Sequence, residues 1–459
     1  MILKAVFDRF VQKTPVTVMT RALLEYALST EALDALFQRH AQQQYTKKLL
    51  FSSVVDVMAL VVCRMQPSVN AAYKKMRKEL GVTVSALYDK LDGIEDAVTA
   101  ELVRNVGSRL GPVVEQLGGQ LPPLVPGYRA KIIDGKHLNA TEHRLTELRD
   151  VKAAPLPGQA LVVLDPSLML AIDMFPCQDG HAQERSLFSQ VLGSVTAMDL
   201  WIADRNFCTV SFLRGISERQ AFFCIRQHAN FPVASFGELR PHGRCRTGEV
   251  FEQEVTFVGE GEGRTAITMR RIVVKLDKPT KDGDTEIGIF TNVPARDADA
   301  VKIAELYLER WTIEGVFQVL TETLDGEKPS LGYPNAALFG FAVALVSYNV
   351  AAVLRAALRA TFGHERVEQE VSWYYIANES RFNYGGMDVV LDDDIWEPFR
   401  TMSAAELAAK LKEYAGLVDL SSFKRQRRRP KVPQPPRTKY ADQPHVSTAR
   451  LLLLAGRMR

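Results

Sequence analysis

The stretch KIIDGKH, residues 131–137, decides the fold class of this chain, because an apolar run typical of a strand meets a carboxylate at Asp134. WIADRNF, residues 201–207, repeats the pattern at Asp204. A third stretch, YLERWTIEGVF, residues 307–317, has helical spacing and carries Glu314. Carboxylates from distant parts of a chain can converge to hold divalent metal ions over a phosphodiester. The leading interpretation is therefore a metal-dependent phosphoryl-transfer enzyme that acts on nucleic acid.

The segments around the two aspartates predict an α/β fold. KIID is placed at the end of a strand, and Pro166-Ser167 separates two further apolar runs as the turn of a hairpin. The pattern predicts three strands, a helix, a strand, a helix and a strand, with these bounds: 129–134, 160–165, 168–175, 182–192, 198–203, 208–218 and 221–226. This order suits a ribonuclease-H-like mixed sheet with flanking helices.

Changes in periodicity and composition divide the chain into six predicted regions. They are a helical DNA-binding region (1–121), the first part of the catalytic core (122–227), a β-rich insertion (228–296), the second part of the core with the Glu helix (297–360), a helical C-terminal region (361–422) and a basic flexible tail (423–459). Eight Lys and Arg residues, and no acid, lie between Phe423 and Tyr440. Such a run suits a polyanionic partner or a solvated terminus.

Composition narrows the class of protein. The 459 residues carry a net charge of only +3, and the five cysteines are scattered without a C-x-x-C pair. This argues against a disulfide framework or a zinc site and fits a reducing, cytoplasmic location. The uncharged stretch 336–354 is nearly long enough to span a bilayer, but Ser347, Tyr348 and Asn349 interrupt it. It is interpreted as a buried core helix, with no membrane partner.

Glu314 lies on a helix with two possible phosphate ligands. Tyr307, Arg310 and Glu314 fall within about 60° of each other on a helical wheel, at the edge of the apolar stripe. An Arg310–Glu314 ion pair of purely structural role has the same spacing. Asp134 before a glycine could equally form a turn, and Asp204 could cap a helix or form an Asx turn.

Several other residues compete for these roles. Asp165 and Asp173 also lie near predicted strand ends, and three histidines could ligate a metal, although structural or solvent roles suit them better: His137, His143 and His181. Trp201 and Trp311 are predicted to belong to the core rather than to stack on bases.

The three stretches together resemble the DDE transposases of the IS-four group of insertion sequences. The family signature is Tyr, two residues, Arg, three residues, Glu, six residues and Lys, and Tyr307, Arg310 and Glu314 match it in register. Thr321 stands where the lysine is expected, and Lys328 or Arg310 could partly replace it. Intervals of 70 residues from Asp134 to Asp204 and 110 to Glu314 fit members with a β-rich insertion before the Glu helix.

The resemblance implies that Asp134, Asp204 and Glu314 bind Mg²⁺ or Mn²⁺, as two ions. Tyr307 and Arg310 would contact the terminal phosphates or a flipped base. The activity implied is strand cleavage at the ends of a mobile element and strand transfer to target double-stranded DNA, by a homo-oligomer on paired ends in the bacterial nucleoid. The alternatives are an endonuclease on the same core without strand transfer, or a non-catalytic DNA-binding protein derived from a transposase.

Overall fold

The computed structural model of the chain describes residues 2–46, 48–258, 266–426, 440 and 443–458. The α-helices within these residues are α1 Ile2–Lys13, α2 Pro15–Ala27, α3 Thr30–His40, α4 Phe51–Val62, α5 Val69–Leu80, α6 Val84–Asp92, α7 Asp96–Leu117, α8 Phe188–Gly193, α9 Val210–Glu218, α10 Ala300–Leu308, α11 Thr312–Gln318, α12 Pro334–Phe362, α13 His364–Glu370, α14 Trp373–Val390, α15 Glu397–Thr401, α16 Ala404–Ala415 and α17 Thr448–Leu454. The strands are β1 Arg129–His137, β2 Ala154–Leu156, β3 Gln159–Asp165, β4 Leu170–Cys177, β5 Asp199–Ala203, β6 Phe222–Arg226, β7 Ser235–Phe236, β8 Arg240–Cys245, β9 Gly248–Val258, β10 Ala266–Leu276, β11 Glu286–Thr291 and β12 His445–Ser447.

One ten-stranded sheet organises the molecule, in the order β4-β3-β1-β5-β6-β11-β10-β9-β7, with β8 paired to β9. Strand β3 is antiparallel to both β1 and β4, as expected for a hairpin at Pro166-Ser167. Strands β1, β5 and β6 are parallel neighbours, and helices connect them because parallel strands need a crossover. The predicted ribonuclease-H-like mixed sheet with flanking helices is confirmed.

Two apolar cores cover the two faces of this sheet, because successive side chains of a strand point to opposite faces. Ile132 joins the larger core, which the long helices α7 and α12 share. Ile133 joins the smaller core on the other face, together with Phe188 and Phe212 of α8 and α9. Both faces of the central strands are therefore buried, and only the strand ends are open to a substrate.

Strand β1 does not end at Asp134, as the sequence pattern predicts. It runs to His137, because β3 continues to pair with it as far as His137↔Gln159. The expected position of Asp134 at or beyond the end of its own strand is wrong. What ends near Asp134 is the parallel ladder to β5, whose last pair is Ile132↔Ile202.

The β-rich insertion continues the central sheet. Strand β11 pairs with β6 from Ile289↔Arg226 to Thr291↔Cys224, so β7 to β11 extend the same hydrogen-bonded sheet. Residues 259–265, in the loop between β9 and β10, lie outside the described residues. The last strand of the insertion therefore lies beside β6, and α10 is the next helix along the chain.

Helix α12 is the predicted core helix. It is long and apolar enough to cross a membrane, but 94% of its most apolar 18-residue window is buried inside the protein. The polar interruption has a structural role, since Asn349 is fully buried and its amide both accepts from Ala171 N and donates to Ala171 O, each at 2.8 Å. Asn349 therefore replaces the missing neighbour strand at the edge strand β4.

The C-terminal segment 423–459 is predicted from its composition to be a flexible tail, and the structure describes only part of it. Residues 427–439 and 441–442, which include most of the basic run, lie outside the described residues. Further on, β12 pairs with β2 in parallel, and Leu452 of α17 is 1% exposed. The expectation of flexibility is wrong for residues 443–458, because backbone pairing and apolar burial order them.

The N-terminal region is helical from α1 to α7, and Leu28 and Ser29 separate α2 from α3. Four cations of α5 have exposed side chains: Lys74, Lys75, Arg77 and Lys78. Lys75 pairs with Asp388 of α14 at 3.7 Å. This helix therefore presents a mainly cationic surface to solvent.

Candidate active site at the carboxyl ends of β1 and β5

Asp134 and Asp204 meet because their strands are parallel neighbours. The last pair of the parallel β1–β5 ladder is Ile132↔Ile202. Asp134 on β1 and Asp204 just after β5 each lie two residues beyond it. Neighbouring strands lie about 4.8 Å apart, so the two aspartates lie close together where the β1–β5 ladder ends. The structure brings these two predicted residues together.

Arg310 connects the sheet to the Glu helix. Its Nη1 donates to Asp134 Oδ2 at 2.9 Å, and its Nη2 donates to Glu314 Oε1 at 2.9 Å. The structural Arg310–Glu314 pair considered from the sequence is therefore formed, and the same guanidinium also holds Asp134. Arg310 is well buried, with 13% of its side chain exposed, whereas 55% of the Glu314 side chain is exposed.

The predicted Glu helix is built from several helical segments. A 3₁₀ turn, Glu309–Trp311, joins α10 to α11, and a π-helical turn, Val319–Thr323, follows α11. Ile313, Val316 and Leu320 are buried, so Glu314 sits at the edge of the buried face, as its helical spacing predicts. Tyr307 is 6% exposed, and burial raises the pKa of its hydroxyl.

Asp204 also has the local role that its sequence context allows. Its Oδ1 accepts from Asn206 N at 2.8 Å, an Asx turn at the start of the 3₁₀ turn Arg205–Phe207. This bond uses one oxygen and fixes the rotamer of the side chain. The other oxygen remains free for a ligand, so the capping role and a role at the site are compatible.

The electrostatics of the site disfavour a full set of ionised carboxylates. Burial raises the pKa of Asp134 to about 7 against the opposing effect of Arg310, and the carboxylates of Asp204 and Glu184 raise it further. Burial, followed by the charge of Asp204, also raises the pKa of Glu184. A divalent cation would reverse this balance, since it favours the ionised form of each carboxyl.

The raised pKa of Asp134 predicts a pH-dependent stability of the metal-free protein. The folded state keeps the proton up to about pH 7, whereas the unfolded chain loses it near pH 4. The stabilising contribution of this proton is therefore complete below about pH 4 and is lost as the pH rises through 7. We expect metal-free Asp134→Asn to exceed the wild type by about 2 kcal/mol in unfolding free energy at pH 8, and to match it near pH 4.

Urea unfolding of both proteins in chelator across this pH range measures the difference. The exposed Asp150 provides a matched control, because Asp150→Asn should follow the wild type at every pH. A wild type more stable than Asp134→Asn at pH 8 would contradict the assignment.

Two residues near the site are not predicted from the sequence. Glu184 approaches the two aspartates from the 3₁₀ turn Glu184–Leu187, ahead of α8. Trp311 was expected in the core but is 54% exposed, beside Arg310. Trp201 is fully buried, as predicted. A helical wheel that places Glu314 at the boundary also places Trp311 outside the buried stripe, so the helical period does predict an exposed Trp311. No local sequence pattern predicts that Glu184 lies near the site.

The competing residues have other partners. Asp165 accepts from Ser167 N and Leu168 N in the β3–β4 turn, and Asp173 pairs with Arg104 at 2.5 Å. Among the histidines, His137 lies within β1 and not in a turn, His143 bonds to Ala153 O, and His181 is exposed. The contacts of Asp165 and Asp173 give both aspartates a structural role.

Neither Thr321 nor Lys328 supplies the cation that the family pattern places after Glu314. The Thr321 hydroxyl donates back to Phe317 O and Gln318 O, at 3.1 and 3.2 Å. Lys328 forms an ion pair with Asp325 and donates to Pro67 O, and only 9% of its side chain is exposed. Lys328 is therefore a poor substitute for the expected lysine, and Arg310 is left as the cation of the site.

The donor set suits a hard divalent cation in its chemistry. Carboxylate oxygens are the ligands that Mg²⁺ and Mn²⁺ prefer, and Arg310 now supplies the positive charge between Asp134 and Glu314. Across the described ranges, no three acidic, histidine or cysteine side chains lie close enough together to enclose an ion. Coordination by all three predicted ligands would therefore require Glu314 to leave Arg310.

Comparison with known proteins gives a consistent result. Residues 126–350 match the family described as "Transposase DDE domain". A protein of Sinorhizobium fredii that carries the name transposase y4zB is 30% identical over 163 residues. That match covers 35% of this chain and 42% of the relative, so the chain spans less than half of the length of that relative. The resemblance of this chain to DDE transposases is confirmed, and its placement in the IS-four group stays a prediction.

One solved structure is similar over most of the chain. It is the piggyBac transposase synaptic complex with hairpin DNA, which matches with a TM-score of 0.41 and 9% identity over 88% of this chain and 86% of that one.

Proposed function

We propose that this chain, whose residues 126–350 match the family described as "Transposase DDE domain", is a DNA transposase that cleaves strands at the ends of a mobile element and joins them to target DNA. One observation carries the proposal. Asp134 and Asp204 lie side by side where the parallel pairing of β1 with β5 ends. Arg310 bonds to both Asp134 and Glu314 and so links this place to the Glu helix. An aspartate within β1, an aspartate just after β5 and a helix glutamate around one buried arginine suit phosphoryl transfer.

Asp134, Asp204 and Glu314 would hold one or two Mg²⁺ or Mn²⁺ ions. Such ions lower the pKa of bound water and neutralise charge on the transferred phosphoryl group. The free oxygen of Asp204 and the exposed carboxylate of Glu314 are available as ligands. Glu314 would exchange its Arg310 contact for the cation, and Arg310 would then be free to turn toward a phosphate.

Arg310, Tyr307 and Trp311 would contact the DNA. The Nε of Arg310 is buried without a hydrogen-bond partner within the described part of the chain, and it would become a donor to a phosphate oxygen once the side chain turns outward. Tyr307 lies beside Arg310 and could donate its hydroxyl. Trp311 exposes an aromatic face of the kind on which an unpaired base stacks.

The remaining regions would bind and assemble the DNA ends. The exposed cations of α5 suit contacts to phosphates, and we propose that residues 1–121 bind DNA. The division into six regions with the boundaries given above stays a prediction. We also propose that the active form is a homo-oligomer on paired DNA ends and that it works in the bacterial cytoplasm at the nucleoid.

The decisive experiment begins with a genomic search for short inverted repeats on either side of this reading frame. DNA containing one such repeat is incubated with the purified protein and Mg²⁺, Mn²⁺ or chelator, and a pre-cleaved repeat is offered with a target plasmid. A transposase nicks the repeat only with metal and joins the pre-cleaved end to the plasmid. Nicking without joining would indicate an endonuclease, and binding without either reaction would indicate a non-catalytic DNA-binding protein.

A further inference from the structure

Arg64 has a backbone conformation that ordinarily favours glycine. It follows Cys63, the C-cap of α4, and its φ is 58°. Its N–H donates to Val61 O at 3.0 Å, and Gln66 N donates to Leu60 O at 2.9 Å, so a left-handed residue closes this helix. A residue other than glycine costs free energy in this conformation. The choice of arginine therefore has to be explained by the contacts of its side chain.

The Arg64 side chain reaches the end of the Glu helix. Its Nη2 donates to Leu324 O at 3.0 Å and to Thr321 O at 3.4 Å. Thr321 lies in the π-helical turn Val319–Thr323, and Leu324 is the residue after it. The last carbonyls of a helix lack partners within the helix, and a positive charge is favoured beside them. Arg64 therefore caps the Glu helix from a distant part of the chain.

Two further hydrogen bonds join the end of α4 and the loop after it to the segment that follows the Glu helix. Asp325 N donates to Val62 O at 2.8 Å, and Lys328 Nζ donates to Pro67 O at 3.2 Å. The same loop leads into α5, the helix with exposed cations. The N-terminal region is thus bonded directly to the part of the chain that carries Glu314.

Glu314 lies between two arginine contacts that come from different parts of the structure. Arg310, four residues before it, is bound to Asp134 of β1 at 2.9 Å. Arg64 holds Thr321, seven residues after it. The helix between these contacts is irregular, because α11 has only seven residues and lies between a 3₁₀ turn and a π-helical turn. Such short helical segments depend on tertiary contacts for their stability.

We propose that Arg64 is a positioning residue of the active centre. It fixes the C-terminal end of the Glu helix, and so the place of Glu314 relative to β1, and it acts through the helix rather than on the substrate. This inference rests on the proposed function, in which Glu314 is a ligand of the cation. It gives the N-terminal region a part in the chemistry besides DNA binding.

Arg64→Gly tests this role, because it removes the guanidinium and suits the left-handed backbone. Single-turnover cleavage of the repeat should be slower by on the order of a hundredfold, since a small misplacement of a catalytic group is sufficient for such a loss. The affinity for the repeat in a gel-shift assay should match that of the wild type. Arg64→Lys should recover most of the rate, because both bonds come from one nitrogen and an ammonium group can replace it.

Gln220→Gly is the matched control for the change of backbone. Gln220 also has a left-handed conformation, with a φ of 56°, and it directly follows the C-cap of α9, but its side chain is exposed. This variant should cleave the repeat at the wild-type rate.

Hydrogen exchange measures how firmly the Glu helix is held, without reference to activity. The amides of residues 315–325 should exchange faster in Arg64→Gly than in the wild type, while those of α9 should not change. In Gln220→Gly, residues 315–325 should exchange as in the wild type.

Wild-type cleavage by Arg64→Gly, or unchanged exchange of residues 315–325, overturns the inference. An equal loss of DNA affinity and cleavage also overturns it, because that result marks a DNA contact, and faster exchange along the whole chain marks a residue of general structural importance. A wild type that cleaves no repeat contradicts the proposed function instead. The exchange of residues 315–325 then still decides whether Arg64 holds the Glu helix.

Discussion

Asp204→Asn is expected to reduce Mg²⁺-dependent cleavage of the element ends at least about a thousandfold while leaving DNA binding nearly unchanged. Asparagine keeps the shape of the side chain and can still accept from Asn206 N, so the Asx turn after β5 should persist. It removes the charge that would hold the cation. Single-turnover cleavage and a gel-shift assay on the same repeat measure the two effects separately.

Asp165→Asn is the matched control for this experiment. Asp165 also ends a strand of the sheet, and its carboxylate also caps a turn, by accepting from Ser167 N and Leu168 N. It is not one of the predicted metal ligands, so cleavage by this variant should stay within a few-fold of the wild type. Equal losses in both variants, or loss of binding in step with cleavage in Asp204→Asn, would overturn the assignment.

Glu368→Gln is expected to destabilise the fold by about 2 to 3 kcal/mol, the largest stability effect that we predict. Glu368 Oε2 pairs with Arg355 at 2.7 Å and Oε1 pairs with Arg359 at 3.1 Å. The two arginine side chains are only 1% and 4% exposed, on the core helix α12. Removal of the carboxylate leaves both buried charges without a counter-ion, although the partial exposure of Glu368 limits the cost.

The effect of this substitution should depend on pH. Burial opposes ionisation of Glu368, but Arg355 and Arg359 outweigh it and hold the pKa of the carboxyl below its usual range. A lowered pKa in the folded state stabilises the protein above the unfolded pKa, near pH 4.3, and this contribution is lost as the pH falls through the folded value. The difference between wild type and variant should therefore be complete at pH 7 and shrink in acid.

Chemical denaturation at pH 7 and in acid measures this difference. Glu365→Gln, an exposed position on the same helix α13, should stay within about 0.5 kcal/mol of the wild type. A Glu368→Gln protein as stable as this control at pH 7 would contradict the role of the buried charge cluster.

Local patterns were sufficient to predict much of the fold. The hairpin around Pro166-Ser167 and the strands before Asp204 depend on apolar runs and turn residues, which act within a few positions of the chain. The edge position of Glu314 follows from the helical period alone. The polar residues within α12 favour a buried core helix over a membrane span, but local sequence does not predict that Asn349 bonds to β4.

Other features depend on contacts between distant segments. The length of β1 beyond Asp134 is set by its pairing with β3, and the order of residues 443–458 depends on β2. Glu184 lies 50 residues from Asp134, in a segment whose own sequence shows no catalytic pattern. Its place at the site arises because the 3₁₀ turn before α8 lies against Gly135.

The sequence by itself determined the strand and helix types, the chemical nature of the acidic residues and the register of Tyr307, Arg310 and Glu314, because these follow from short-range periodicity and side-chain chemistry. The tertiary structure alone decided which carboxylates become neighbours and which cation lies between them. Parallel pairing of β1 with β5 sets Asp134 beside Asp204, and packing of α11 against β1 brings Arg310 to Asp134. Like charges are placed together only when long-range packing compensates their repulsion, and short-range patterns do not encode that balance.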